Sequence, residues 1–514
     1  MLYVSLILES LRVSPRLMFW TAALSQAALW TLMPALFYAA PPGEVPIVLA
    51  VGHEFQLGSE GGPPLAFWLA ELAYRLSGSM AGVYLLSQAC VVATLMGIFA
   101  LGRAIVGMAQ AVLAVLLMVG VGIMSVPTPE FGPAILAMPI WTMVLLHFWR
   151  AVGEGRSEYW IALAVSLGLL LLTTSQGLIF FILLAVFAVA SERGRAAFRS
   201  IDPWLCVFVA ILVAAPYLSW LVYADDVWKP ALARASNLDL HVAALREWLW
   251  ILGNVAVMHV GVVLFVILAS PWRLPRGTRV PTVDRQPMPS LAKSLIYFFA
   301  LAPLLTVTLA IALLGYPWSP AVAGPLVVCS GLAVLAFAGD RIPLYRQRML
   351  SITWIGLLAG PPLAMAVALF LLPWALKIDR EVLYPTAEMG RFFAETFERR
   401  TGQPLTIVAG DPEIASLVAL DPRVRPSLLM EAPVRSRWVS VADARAKGAV
   451  VVWPATDTVG TPPPAITASF PDLAVEVPRA FERSIQGRLP LLRIGWAVIR
   501  PQAAAAPTAA APAQ

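Results

Sequence analysis

Two carboxylates follow the first long apolar run of the chain, Glu44 and Glu54, with His53 and Gln56 flanking the second. A carboxylate at the edge of a low-dielectric site takes the proton of a hydroxyl as general base, which is what sugar transfer to that hydroxyl requires. Each is equally what a solvated loop acid looks like, because most acidic side chains face water. The turn Gly62-Pro63-Pro64-Leu65 comes next. Its prolines restrict themselves and the residues before them, so the chain enters its next element at a set angle. Farther along stand Lys229, Arg234 and Arg246. These cations are suited to a lipid phosphate through charge-assisted hydrogen bonds, and equally to anchoring helix ends at headgroups. Asp225-Asp226 brings no third ligand at matching spacing, so no metal site and no cofactor are assigned. His147 and His259 fall inside apolar runs without an acidic neighbour and read as polar packing groups between helices.

The elements that must position these groups are membrane helices. The 514 residues are 59% hydrophobic and 13% charged, with mean hydropathy +0.78. A soluble domain carries about 25% charged residues. The deficit is concentrated in residues 17–375, whereas 376–514 has the make-up of a soluble protein. This excludes a soluble enzyme, a disordered protein and a nucleic-acid binder. The three cysteines, Cys90, Cys206 and Cys329, each lie in an apolar stretch and read as packing residues. The first apolar run, Leu2–Leu8, is short and lacks a basic flank, unlike a cleavable signal.

Eleven stretches are apolar enough to be expected to span: 17–40, 80–102, 104–126, 133–151, 158–174, 177–191, 203–223, 247–270, 291–314, 320–338 and 351–375. With the N-terminus in the cytoplasm, the cytoplasmic segments hold sixteen Lys and Arg and the opposite loops before the tail hold four. Merging the fifth and sixth stretches breaks this asymmetry. The expected organisation is a membrane domain over 1–375, carrying a first external loop at 41–79. A small α/β domain follows at 376–501, on the side opposite the cytoplasm, and an Ala/Pro-rich disordered tail at 502–514. Within the α/β domain the pattern predicts helices at 387–400 and 412–420 and strands at 405–409, 449–453 and 489–499. The interrupted stretch 65–76 is too short to span and is expected in the interface.

Several of these segments resemble bacterial inner-membrane glycosyltransferases of the family-39 type, relatives of protein O-mannosyltransferases and of the aminoarabinose transferase that modifies lipid A. The likeness rests on Leu49-Ala50-Val51-Gly52-His53-Glu54-Phe55-Gln56-Leu57-Gly58 and Gly62-Pro63-Pro64-Leu65-Ala66-Phe67-Trp68-Leu69. It continues through Tyr84-Leu85-Leu86-Ser87-Gln88, Pro127-Thr128-Pro129-Glu130-Phe131 and Pro139-Ile140-Trp141, then Gly402–Gly410 and Arg425-Pro426. The resemblance implies a mainly α, polytopic GT-C-like fold in the bacterial inner membrane with a periplasmic active site. It implies a sugar on a polyprenyl phosphate as donor and inversion at the anomeric carbon. It also implies a base from the first loop, for which Glu44 stands ahead of Glu54. His53, Gln56, Pro63, Pro64, Glu130, Lys229, Arg234 and Arg246 become the substrate-contacting candidates. The acceptor is a glycan, lipid or protein, and membrane lipid is the other partner.

The chain departs from that family at four places. The usual His-Pro-Pro-Leu reads Gly62-Pro63-Pro64-Leu65, and a second early acid is Ile47. A Lys-Tyr turn is Thr174-Ser175-Gln176, and asparagines after Pro-Glu-Phe are Gly132-Pro133. The departures keep a second reading open: a degenerate relative that binds lipid-linked sugar or a partner without transferring it. A transporter or flippase is a third, disfavoured because no internal repeat is visible and the charges sit at one face.

Overall fold

A computed structural model describes residues 14–236, 242–270, 282–285, 287–343, 346–430, 438–455 and 457–502. The run 2–8, nearly all of the Ala/Pro tail, His241 and the arginines at 12, 273, 276 and 279 lie outside the described residues. Contacts divide the chain into two compact units. The first holds the helix ending at Phe37 and Gly61–Ala366; the second holds Tyr38–Glu60 and everything from Val367 onward. The boundary therefore differs from the expected one: residues 38–60 of the external loop group with the C-terminal domain instead of the helical one.

The first unit is mainly α-helical, as an apolar chain must be where no water satisfies its backbone. Five described helices are long and apolar enough to cross a membrane: Met80–Ile105, Pro133–Gly153, Asp202–Val222, Ser290–Leu314 and Gln347–Ala375. Two further spans form as bent pairs, Val242–Met258 with Val260–Ala269 (49°) and Pro320–Val327 with Ser330–Ala338 (46°). The stretches expected at 104–126, 158–174 and 177–191 appear as shorter apolar helices, Met108–Met118, Tyr159–Leu171 and Gly177–Ala190. Pro15–Phe37 is long, but Ser25 and Gln26 interrupt its apolarity. Eleven apolar runs thus give fewer full-length helices than expected, because several break at Gly, Pro or Thr near one end.

At one of the bends His259 Nδ1 donates to the Val255 carbonyl (2.8 Å), and its Nε2 pairs with the Ser330 hydroxyl (3.0 Å). His147 pairs with the Ser166 hydroxyl at 2.9 Å. Both histidines are therefore occupied by interhelical packing. Just beyond the bend, a Cβ on Gly261 would come within 2.5 Å of the Gly120 carbonyl oxygen, so only glycine permits the two backbones to approach. A short ribbon pairs β1 (Thr282–Asp284) with β2 (Arg341–Pro343).

The second unit is a five-stranded sheet with helices on it. Its strands are β3 (Ile407–Gly410), β4 (Ser427–Met430), β5 (Ala449–Pro454), β6 (Val475–Phe481) and β7 (Leu492–Ile499), in the order β4-β3-β5-β7-β6. β3 runs parallel to β4 and β5, while β7 is antiparallel to both β5 and β6. Helix Thr386–Thr401 buries Met389, Phe393 and Phe397 against one face beside Trp496 and Phe481. Strand β6 contains Pro478, and it is an edge strand, where the missing N–H costs least. Asp411 caps Pro412–Val418 by accepting from the Glu413 and Ile414 N–H groups. Glycine at 410 is forced: its φ is +115° and a Cβ there would strike the Val452 carbonyl.

Candidate functional site

Helix Val45–His53 carries both first-loop acids at its ends, Glu44 as N-cap and Glu54 as C-cap. At 1.5 Å per residue they stand about 15 Å apart. They therefore cannot act as a pair on one glycosidic carbon, and only one can serve as base there. Glu44 is exposed and its side chain makes no capping hydrogen bond. Glu54 is half-buried, and its Oε1 is buried with no hydrogen-bond partner among the described residues. Gln56 Nε2 donates to the Glu54 carbonyl at 3.4 Å, across the left-handed Phe55 (φ +47°).

The seat of this helix is built by the far end of the chain. The Ala39 and Ala40 N–H groups both donate to the Val382 carbonyl, at 2.8 and 3.0 Å. Arg425 reaches the Leu49 carbonyl at 3.5 Å. The helix packs on Pro412–Val418 and β4, and Ala50 joins the core of the sheet domain.

Next to Val382 lies a charged cluster that sequence reasoning missed. Arg483 is 7% exposed and grips Asp379 with two nitrogens, at 2.7 and 2.5 Å, while donating to the Pro490 carbonyl. Tyr384 donates its hydroxyl to Asp379 at 3.2 Å. Burial first, and then the Asp379 charge, hold the phenol well above its ordinary range. Although Glu381 still reaches solvent, partial burial, and then the charges of Glu413, Asp379 and Asp411, push its carboxyl upward. A raised folded pKa means that the native state holds this proton more tightly than the unfolded one does. Stability is then lost as pH rises through the carboxylate range. Glu381→Gln should raise the unfolding temperature at pH 7 and leave it unchanged near about pH 3.5, where glutamate is neutral anyway. Thermal unfolding at both pH values checks this.

The remaining candidates belong to the first unit. Pro64 caps helix Leu65–Ser77, and the Leu65 N–H donates to the Leu172 carbonyl at 3.0 Å. The turn 172–177 is thereby fixed beside Gly62-Pro63-Pro64-Leu65, so two of the four departures sit together. Gly62 has φ +119°, a region that side-chain-bearing residues adopt only under strain. Gly62→His, which restores the imidazole expected there, should cost about 2 kcal/mol of stability, measurable as a lower melting temperature. On the same helix Glu71, unremarked from sequence, is 1% exposed and takes a 2.7 Å hydrogen bond from Arg75. Its signal was available: an acid on the face of Phe67 and Ala70, one turn before a cation.

Glu130 is half-buried in the turn that ends at Phe131. Two of the resembling segments meet there, since Ser87 donates to the Thr128 carbonyl and Gln88 to the Thr128 hydroxyl (3.0 Å). Gln26 holds the same turn through the Met124 carbonyl. Lys229 and Arg234 are exposed on helix Asp225–Ser236, over the rings of Trp228 and Tyr316 at 5.7 and 5.2 Å. Arg246 is exposed on Val242–Met258. Glu44, His53, Glu54 and Gln56 thus belong to the second unit, and Pro63, Pro64, Glu130, Lys229, Arg234 and Arg246 to the first. Two half-open pockets, of about 370 and 410 Å³, are lined by first-unit residues, and none of these candidates lines either.

Over nearly its full length the chain superposes on ArnT from Cupriavidus metallidurans. With the form bound to undecaprenyl phosphate, the TM-score is 0.56 over 94% of this chain and 97% of that one, at 13% identity. With the apo form it is 0.55 over the same shares, at 15% identity. The chain has the GT-C fold. Residues 61–220 also match the family model for dolichyl-phosphate-mannose-protein mannosyltransferase, a GT-C family, which bears out the resemblance read from the sequence. That match begins after the first-loop acids and covers the GT-C segments around Pro63, Ser87, Glu130 and Trp141. A comparison with curated protein sequences finds no match.

Proposed function

We propose that this protein is a membrane glycosyltransferase that moves a sugar from a polyprenyl-phosphate donor to a hydroxyl of a periplasmic or lipid acceptor. The reading rests above all on the full-length likeness to a GT-C protein whose structure holds undecaprenyl phosphate. The acceptor oxygen attacks the anomeric carbon from the face opposite the phosphate. The carbon–oxygen bond to the phosphate breaks, polyprenyl phosphate leaves, and the configuration inverts. A lipid phosphate is already a fair leaving group. The protein's tasks are then to take the hydroxyl proton and to steady the phosphate charge. Glu44 is the proposed base, for its carboxylate is exposed and uncommitted to capping its own helix. Lys229, Arg234 and Arg246 are the proposed phosphate contacts, and His53, Gln56, Pro63, Pro64 and Glu130 the proposed lining of the sugar site. The bacterial inner membrane is the proposed location, as the family resemblance implies, and the excess of Lys and Arg in the loops assigned to the cytoplasm supports a site on the opposite, periplasmic side.

A second reading, binding of lipid-linked sugar without transfer, is favoured by one observation: the departures at Gly62 and Thr174-Ser175-Gln176 are brought side by side. Mass spectrometry of envelope lipids and glycans from cells with and without the protein separates the two. Loss of one glycoform is the expected result, and an unchanged profile removes the transferase reading.

A further inference from the structure

Residues 119–132 join helix Met108–Met118 to Pro133–Gly153 and hold only one short 3-10 turn, Gly122–Met124. All of them but Gly122, Val126 and Glu130 are buried. Irregular backbone inside an apolar unit is costly, because its N–H and C=O groups lack the pairing that a helix supplies. Glu130 is the one ionisable residue of the segment.

Three buried polar side chains from two helices packed on each other are committed to this segment. Gln26 of Pro15–Phe37 donates its amide to the Met124 carbonyl at 2.8 Å. From Met80–Ile105, Ser87 donates to the Thr128 carbonyl and Gln88 to the Thr128 hydroxyl, the latter at 3.0 Å. The Thr128 hydroxyl gives its own proton to the Ser125 carbonyl at 2.7 Å, so towards Gln88 it can only accept. Polar residues in membrane proteins commonly tie helix to helix. Here none of the three bonds does so, and all end on the turn. Both glutamines also leave their carbonyl oxygens buried with no hydrogen-bond partner among the described residues. Methionine at either position would carry no such penalty. What the network supplies in return is a single, rigid arrangement of the turn. Its effect reaches Glu130 directly, for the Glu130 N–H donates to the Pro127 carbonyl (3.1 Å) and the Phe131 N–H to the Pro129 carbonyl (3.0 Å).

We infer that Gln26, Ser87 and Gln88 are positioning residues for Glu130. They fix the turn 124–131 so that the Glu130 carboxylate is held in one place for the hydroxyls of the donor sugar. The inference rests on the transferase reading, with Glu130 in its sugar site. Misplacing such a group by about 1 Å is enough to lower a rate about 10²-fold.

The test is a double-mutant cycle on sugar transfer by the full-length protein in membranes. Gln88→Met removes the donor at nearly constant volume and should lower transfer about tenfold or more, without lowering the melting temperature. Glu130→Gln should lower transfer too. In the Glu130→Gln background, Gln88→Met should then cost less than about twofold further, because the two act as one unit. Gln26→Met, on the other helix, should behave as Gln88→Met does and keeps the test open should the first variant misfold. Hydrogen exchange over residues 124–131 should quicken in both methionine variants. Losses that multiply in the double variant, full transfer in either methionine variant, or unchanged exchange over the turn overturn the inference and leave the transferase reading standing. A wild-type protein that transfers no sugar removes that reading, and the inference falls with it.

Discussion

Replacing Glu44 by glutamine is expected to lower sugar transfer in membranes by about 10²–10⁴-fold, the usual contribution of a general base. The substitution is close to isosteric. It also disturbs no cap, because the Glu44 side chain makes no capping hydrogen bond to helix Val45–His53. Expression and thermal stability should therefore be unchanged, and the loss should fall on turnover. Glu54→Gln is the necessary companion. The two acids stand at opposite ends of one rigid helix, about 15 Å apart, so the base role cannot be shared between them. Loss in Glu44→Gln with substantial activity in Glu54→Gln supports the assignment. The reverse pattern transfers the role to Glu54, whose buried Oε1 lacks a partner among the described residues. Full activity in both variants removes the first-loop carboxylates from the chemistry.

The largest stability effect should come from Asp379→Ala, which leaves the Arg483 guanidinium buried without its anion. Breaking a buried ion pair from one side costs about 3–5 kcal/mol, because the remaining charge keeps its desolvation penalty. Asp379 is partly open to solvent, which places the expectation near the lower end, at about 3 kcal/mol. The loss should appear as faster hydrogen exchange or proteolysis of the second unit in the intact protein. Arg483→Met, which removes the charge and keeps much of the side-chain volume, should cost less than Asp379→Ala. An equal or larger loss would mean that the arginine's bond to the Pro490 carbonyl matters more than its pairing with Asp379.

The parts of this molecule that sequence made legible are those governed by local composition. Unbroken apolar runs at 80–102, 291–314 and 351–375 became long helices because lipid leaves the backbone no alternative. The β-branched run Val450-Val451-Val452 became a central strand buried on both faces. Less legible was everything set by distant pairing. Strand β4 reads Ser-Leu-Leu-Met, with no alternation, and is a strand because β3 offers it a parallel edge. Strand β6, interrupted by Pro478, is held by β7 alone. The partner of Asp379 lies 104 residues away, beyond any spacing rule. The same holds for the candidate site. The identity of the first-loop acids was readable, but their placement at the two ends of one helix, seated on the C-terminal sheet domain, follows from tertiary contacts.

That seating imposes an order on biogenesis. Helix Val45–His53 leaves the ribosome early, yet the carbonyl that receives Ala39 and Ala40 belongs to Val382, and the surface beneath it to residues 412–430. At about ten residues per second, the helix waits roughly half a minute for its floor to be synthesised. Until then its apolar face is bare, as it is in any product that stops short. A segment delivered early thus remains unseated until residues 412–430 arrive.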